Sequence, residues 1–179
     1  MTQNANPYGK YPSYAVANYF IGKALDSGES LSVTKVLKLV YIAHGWHLAI
    51  YNSPLIQDEI QAWKYGPVIP ALYAKIKYKA DFTSIIEVDG TPNLPFPEDY
   101  DFLGRIWEVY SKFTAGQLST ATHLVDTPWD QVWNKDDGKS KREALISNDL
   151  IKEHYKAKLD ANKAKESQES EESETSEEE

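Results

Sequence analysis

The stretch from residue 33 to residue 51 constrains this chain more than any other. Val33, Leu37, Val40, Tyr41, His44, Leu48 and Tyr51 recur at three- and four-residue spacing, which marks one face of a helix. A second set, Val36, Leu39, Ile42, Ala43, Trp46 and Ile50, covers most of the remaining circumference. A helix that is apolar nearly all round has to be buried by other elements. The narrow face left over, Lys35, Lys38, Gly45, Ala49 and Asn52, either meets solvent or admits another backbone at close range. The expected fold is therefore mainly α, a compact helical domain around one central buried helix.

The rest of the sequence can supply that packing. The formal net charge of -8 sits in the last 14 residues, which hold eight Glu and no Lys or Arg; residues 1–165 carry 19 acidic and 19 basic groups and are neutral. A body of that size holds one ordinary domain with a real core. At 41% apolar, with five Trp and twelve Tyr, it is too apolar to be disordered. The absence of Cys removes a disulfide framework, a thiolate zinc site and a cysteine nucleophile. Residues 1–14 contain no apolar signal segment, and no stretch has the length of a membrane span. A soluble, cytoplasmic protein with no membrane partner is expected.

Three regions follow: a flexible lead-in over 1–13, a helical domain over 14–160, and a disordered Glu/Ser-rich tail over 161–179 that buries too little to be ordered. Ser13 is read as the N-cap of a first helix that Gly28 ends. Residues 55–63 are ambiguous between a short helix and an extended segment. Gly66-Pro67 punctuates the chain, and Pro70 suits the first turn of a helix reaching Tyr78. The Pro/Gly-rich span 81–98 contains one β-like run, 84–88, and reads equally as a small hairpin or a functional loop. Asp99 or Asp101 is read as the cap of a helix through Phe113. A short helix over 117–125 ends at Pro128, residues 134–142 form a solvated loop, and Ser147 caps a final amphipathic helix whose apolar positions stop before Asp160.

Candidate chemistry is sparse. His44 and His47, three residues apart on the central helix, could share a metal ion in a metal-dependent hydrolase. Neither has a Glu at zinc-protease spacing, and each abuts an apolar stripe where a His packs and hydrogen-bonds once, so the core reading is preferred. Asp58, Glu59, Asp126 and Asp130, with His123 as base, come without a nucleophile elbow or a phosphate-binding glycine loop. Basic clusters occur at Lys75, Lys77 and Lys79, at Lys139, Lys141 and Arg142, and along the last helix. With two Arg in the whole chain, solvated faces explain them better than direct nucleic-acid binding. The acidic tail reads as a solubility device or as a lure for a basic partner. No catalytic residue, cofactor or metal ligand is assigned.

One longer pattern is far more specific. Lys38-Leu39-Val40-Tyr41-Ile42-Ala43-His44-Gly45-Trp46, then Pro54-Leu55, Glu59-Ile60-Gln61-Ala62-Trp63, Gly66-Pro67-Val68 and Tyr73, run in an order and spacing that resembles the Panacea domain. This is the SocA-like antitoxin domain, also found in phage-associated proteins. His123, Pro128-Trp129 and the closing helix after Ser147 are similar to its C-terminal half, so the resemblance covers most of 14–160. It implies a helical domain without catalytic activity, an antitoxin that neutralises a cognate protein toxin by direct binding. His44, Gly45, Trp46, Gly66, Pro67, His123, Pro128 and Trp129 form its structural motif, with Trp46 and Trp129 expected mainly in the core. Lys38, Glu59, Trp63, Lys64 and Tyr65 combine aromatics and mixed charge near a helix face and a turn, and are the expected partner surface. The alternatives are a stand-alone phage or prophage inhibitor or adaptor acting on a host factor, and the His44/His47 hydrolase. Homo-oligomerisation is left open.

Overall fold

The computed structural model describes residues 9–78, 94 and 96–176. Seven α-helices and one antiparallel strand pair are present among them: α1 Ser13–Asp26, α2 Val33–Tyr51, β1 Gln61–Trp63, β2 Gly66–Val68, α3 Pro70–Ile76, α4 Pro97–Tyr110, α5 Ala115–His123, α6 Pro128–Asp130 and α7 Asn148–Ser176. The three-residue α6 runs straight into a π turn at Gln131–Lys135, and a 3-10 turn follows at Gly138–Ser140.

The mainly α architecture around α2 is as the periodicity predicts. Every residue from Val36 to Gly45 is buried, and α2 touches α1, α3, α4, α5, α7 and β2. Ser32 opens it by accepting a hydrogen bond from the Lys35 N–H, and Asn52 closes it in the left-handed conformation at φ 53°. Gly45, on the narrow face, admits the Tyr155 ring of α7, and any Cβ at that position would run into this ring. The missing side chain thus lets α7, the most extensive neighbour of α2, cross it at close range. Phe20, Leu39, Leu55, Ile69, Leu72, Leu103 and Ile151 fill the core from six segments of the chain.

Several local expectations shift, each because tertiary contact outranks local sequence. Helix α1 starts at Ser13 itself, and the cap is supplied from outside, where the Ser13 N–H donates to Asp58 Oδ2 at 2.6 Å. Asp99 caps nothing. Helix α4 begins at Pro97, and Asp99 is buried in its first turn, accepting from the Tyr11 hydroxyl at 2.6 Å and from Lys10 Nζ at 3.1 Å. These contacts tie the segment before α1 to α4, and Tyr11 also pairs with Ile56 in a parallel bridge. Residues 55–63 resolve as extended chain, with Gln61 bridged to Leu145. The small hairpin is formed by β1 and β2, with Gln61 opposite Val68 and Trp63 opposite Gly66. The run at 84–88, which reads equally as a small hairpin or a functional loop, lies outside the described residues.

The closing helix begins as expected, with the Leu150 N–H donating to Ser147 Oγ at 3.2 Å. It does not stop at Asp160 but continues to Ser176, into the tail expected to be disordered. Residues 161–168 are all exposed. Its sequence, rich in Ala, Lys and Glu, favours helix locally.

Candidate partner-binding site

Lys38 and Gly66 organise the site. Lys38 lies in the fully buried part of α2, only 2% exposed, and its ammonium donates to the carbonyls of Tyr65 at 3.1 Å and Pro67 at 3.0 Å. Burial pulls its pKa down to about 7, because an ammonium held by carbonyl dipoles is less well stabilised than one in water. Lys38 therefore sits beneath the β1–β2 turn and holds it, rather than standing on the surface as the sequence reading placed it.

The turn has one residue in the positive-φ region. Lys64 and Tyr65 keep negative φ, so the left-handed step of this tight reversal falls on Gly66, at φ +108°. A Cβ on Gly66 would stand 2.8 Å from the His123 ring and would also strike Lys38 Nζ. His123 ends α5, its Nδ1–H donating to the Ser119 carbonyl at 2.6 Å. Its ring tilts against Trp129 at 4.4 Å between centroids. Trp129 in turn donates from Nε1 to the Trp63 carbonyl at 2.7 Å and stacks on Trp133. Ser119 Oγ donates to the Tyr65 carbonyl at 3.3 Å. Three carbonyls of the hairpin, those of Trp63, Tyr65 and Pro67, are thus held by side chains of three different elements.

What faces outward is aromatic and basic. Tyr65 is 72% exposed, with Lys64 Nζ 5.4 Å above its ring. Trp63 is half-buried, edge-on to Tyr73 of α3 at 5.3 Å. Leu124 and Val125, directly after α5, are exposed beside His123. The structure therefore brings together Lys38, Trp63, Lys64, Tyr65, Gly66, Pro67, His123, Pro128 and Trp129, although they come from positions up to 91 residues apart in sequence. Glu59 is not among them; it is exposed and lines a separate cleft with residues 145–148. Ser119 and Trp133 carry no sequence signal of their own and emerge only from the fold.

His44, Gly45 and Trp46 belong to the interior. The Ile56 N–H donates to His44 Nδ1 at 3.3 Å, so the proton is on Nε2, which donates to Asn148 Oδ1 at 2.9 Å. Burial pulls the His44 pKa down to about 4. His47 donates from Nδ1 to the Ser53 carbonyl at 2.6 Å, and its Nε2 stands 3.8 Å from Asp99 Oδ1. The two rings are committed to different partners, and no group of three metal-ligating side chains is assembled among the described residues. Trp46 is half-buried, donating to the Tyr110 hydroxyl at 2.8 Å, while Trp129 is buried as expected. Asp126 and Asp130, considered above as carboxylates for catalysis, are paired with Lys135 instead.

The hairpin turn thus presents Tyr65 and Lys64 outward, above a layer of Lys38, His123 and Trp129. The model of the family described as "Antitoxin SocA-like, Panacea domain" matches residues 36–130, which spans α2, the hairpin and the Trp129 region. The chain is 31% identical over 134 residues to Antitoxin SocA of Caulobacter vibrioides, covering 67% of this chain and 69% of that protein. This protein belongs to the SocA-like Panacea domain family. No solved structure matches it. No described helix is long and apolar enough to cross a membrane.

Proposed function

We propose that this protein is an antitoxin that neutralises a cognate protein toxin by direct binding. The observation that carries the reading is the convergence of the family-pattern residues from α2, the hairpin, α5 and α6 on one turn, whose outward side is rigid and aromatic. A preorganised surface loses little entropy on binding, and exposed Tyr beside a half-buried Trp has the composition of an interface hot spot. Binding rather than catalysis is further supported by His44 and His47, whose polar contacts serve the fold. Trp63, Lys64 and Tyr65 are the contact residues, with Lys38, Gly66, His123 and Trp129 positioning them. Toxin and antitoxin meet in the cytoplasm, where both are made.

Co-expression with each reading frame flanking the gene tests this. One flanking product should arrest growth alone and be tolerated beside this chain. Toxicity that is never relieved would remove the antitoxin reading in favour of an inhibitor or adaptor acting on a host factor.

A further inference from the structure

The charge of the turn's outer face points to the chemistry of what it holds. From Gln61 to Tyr78 the sequence has no Asp or Glu, but contains Lys64, Lys75 and Lys77 among Trp63, Tyr65, Tyr73 and Tyr78. In a body that is neutral over residues 1–165, an acid-free stretch of this length concentrates positive potential in one place. Helical geometry separates the lysines of α3. Leu72 and Ile76 are buried, and Lys75 leans the other way, over Tyr14 of α1 at 4.9 Å. Lys77 lies on the Tyr73 side, 5.8 Å from that ring and 4.6 Å from Tyr78. Tyr73 meets Trp63 edge-on, which makes the turn and this flank of α3 one continuous surface. It carries Lys64 and Lys77, Tyr65 at 72% exposure and Tyr78 at 84%. Helix α5, which closes the surface on its other side, is also free of acids.

We infer that this surface, made by Trp63, Lys64, Tyr65, Tyr73 and Lys77, docks an acidic segment of the partner protein, one carrying carboxylates around an aromatic or large apolar side chain. The inference rests on the antitoxin reading and adds the partner's chemistry to it. Each ammonium is already held over a ring, so it keeps a defined position for an incoming carboxylate. The rings give an apolar anchor somewhere to pack between the two charges. The gripped carbonyls beneath keep the turn from yielding. Lysine point charges without Arg, two of them among the described residues of this surface, suit carboxylates better than a long phosphate backbone.

Two arms test it. In the first, the purified full chain is titrated with a labelled synthetic peptide of alternating Asp and Glu around one Trp, with its Asn/Gln counterpart, and with a single-stranded oligonucleotide. The acidic peptide should bind roughly tenfold more tightly than the neutral one, and a Lys64→Glu/Lys77→Glu variant should abolish that preference. Tyr65→Ala should weaken both peptides and leave their ratio unchanged. Equal affinity for the two peptides, a preference surviving charge reversal, or tighter binding of the oligonucleotide each overturns the inference. In the second arm, the double variant is co-expressed with a flanking toxin that the unaltered chain neutralises. Rescue should be lost while circular dichroism shows the fold intact. Rescue that persists leaves the antitoxin reading standing and removes this one.

Discussion

Lys38 is the residue whose role differs most from its first reading. On a helical wheel it falls on the narrow face of α2, which either meets solvent or admits another backbone, and its charge suggests a partner surface. The structure spends that polarity internally, on two hairpin carbonyls. The consequence is measurable. A lysine whose pKa falls from 10.5 to about 7 on folding binds fewer protons in the native state than in the unfolded chain between those two values. Stability must therefore rise with pH across that window, with this residue contributing about 2 kcal/mol between pH 7 and 9. In Lys38→Met the rise should flatten, since no charge is left to discharge, while the Pro67 carbonyl loses its partner. Urea denaturation of both proteins at the two pH values checks this, and parallel slopes would contradict the burial of a titrating ammonium.

At the scale of elements, helices were legible because each carries its own 3.6-residue pattern and stop signals, such as Asn52-Ser53-Pro54 after α2. The hairpin was not. Each strand is three residues long, too short for alternation to show, and its turn is stabilised by Lys38, Ser119 and Trp129 from elsewhere in the chain. The first-turn position of Asp99 was likewise hidden, because its partners Lys10 and Tyr11 are nearly 90 residues away. Of the five residues first assigned to the partner surface, the turn triplet Trp63, Lys64 and Tyr65 shares one face, Lys38 lies beneath it, and Glu59 lies apart. Local spacing can mark a turn but cannot say which side of it is buried.

The junction of α2, the 55–56 segment and α7 is held through His44, which links Ile56 to Asn148. Burial depresses its pKa from 6.5 to about 4, so the native state resists protonation that the unfolded chain accepts. Stability should fall as pH drops from about 6.5 towards 4, with about 3 kcal/mol of that fall due to His44. Burial pushes His47 in the same direction. A His44→Gln variant, less stable at neutral pH, should lose correspondingly less on acidification. Denaturation midpoints at pH 6.5 and 4.5 decide the matter, and equal losses in the two proteins would show that His44 is not buried neutral.

At the scale of the whole molecule, the expectation to test is that body and tail are physically separate. Among the described residues the last buried position of α7 is Tyr155, and residues 161–168 are all exposed. Deleting 166–179 should change the melting temperature by no more than about 1 °C, in keeping with the small effects of surface changes. Amides of 161–168 should exchange orders of magnitude faster than those of 148–157, because those residues are exposed. A truncated protein that melts several degrees lower would mean that the acidic segment folds back onto the body.

The reading of this Panacea-family domain as a toxin-binding module stands or falls on a physical complex formed through the turn. The decisive measurement is titration calorimetry of the purified chain, alone and as Tyr65→Ala, against any flanking gene product whose toxicity it is found to relieve. The account predicts a saturable complex with the unaltered chain and a loss of affinity of about tenfold or more in Tyr65→Ala at unchanged fold. Neutralisation in cells with no detectable complex, or a complex indifferent to Tyr65, would contradict it.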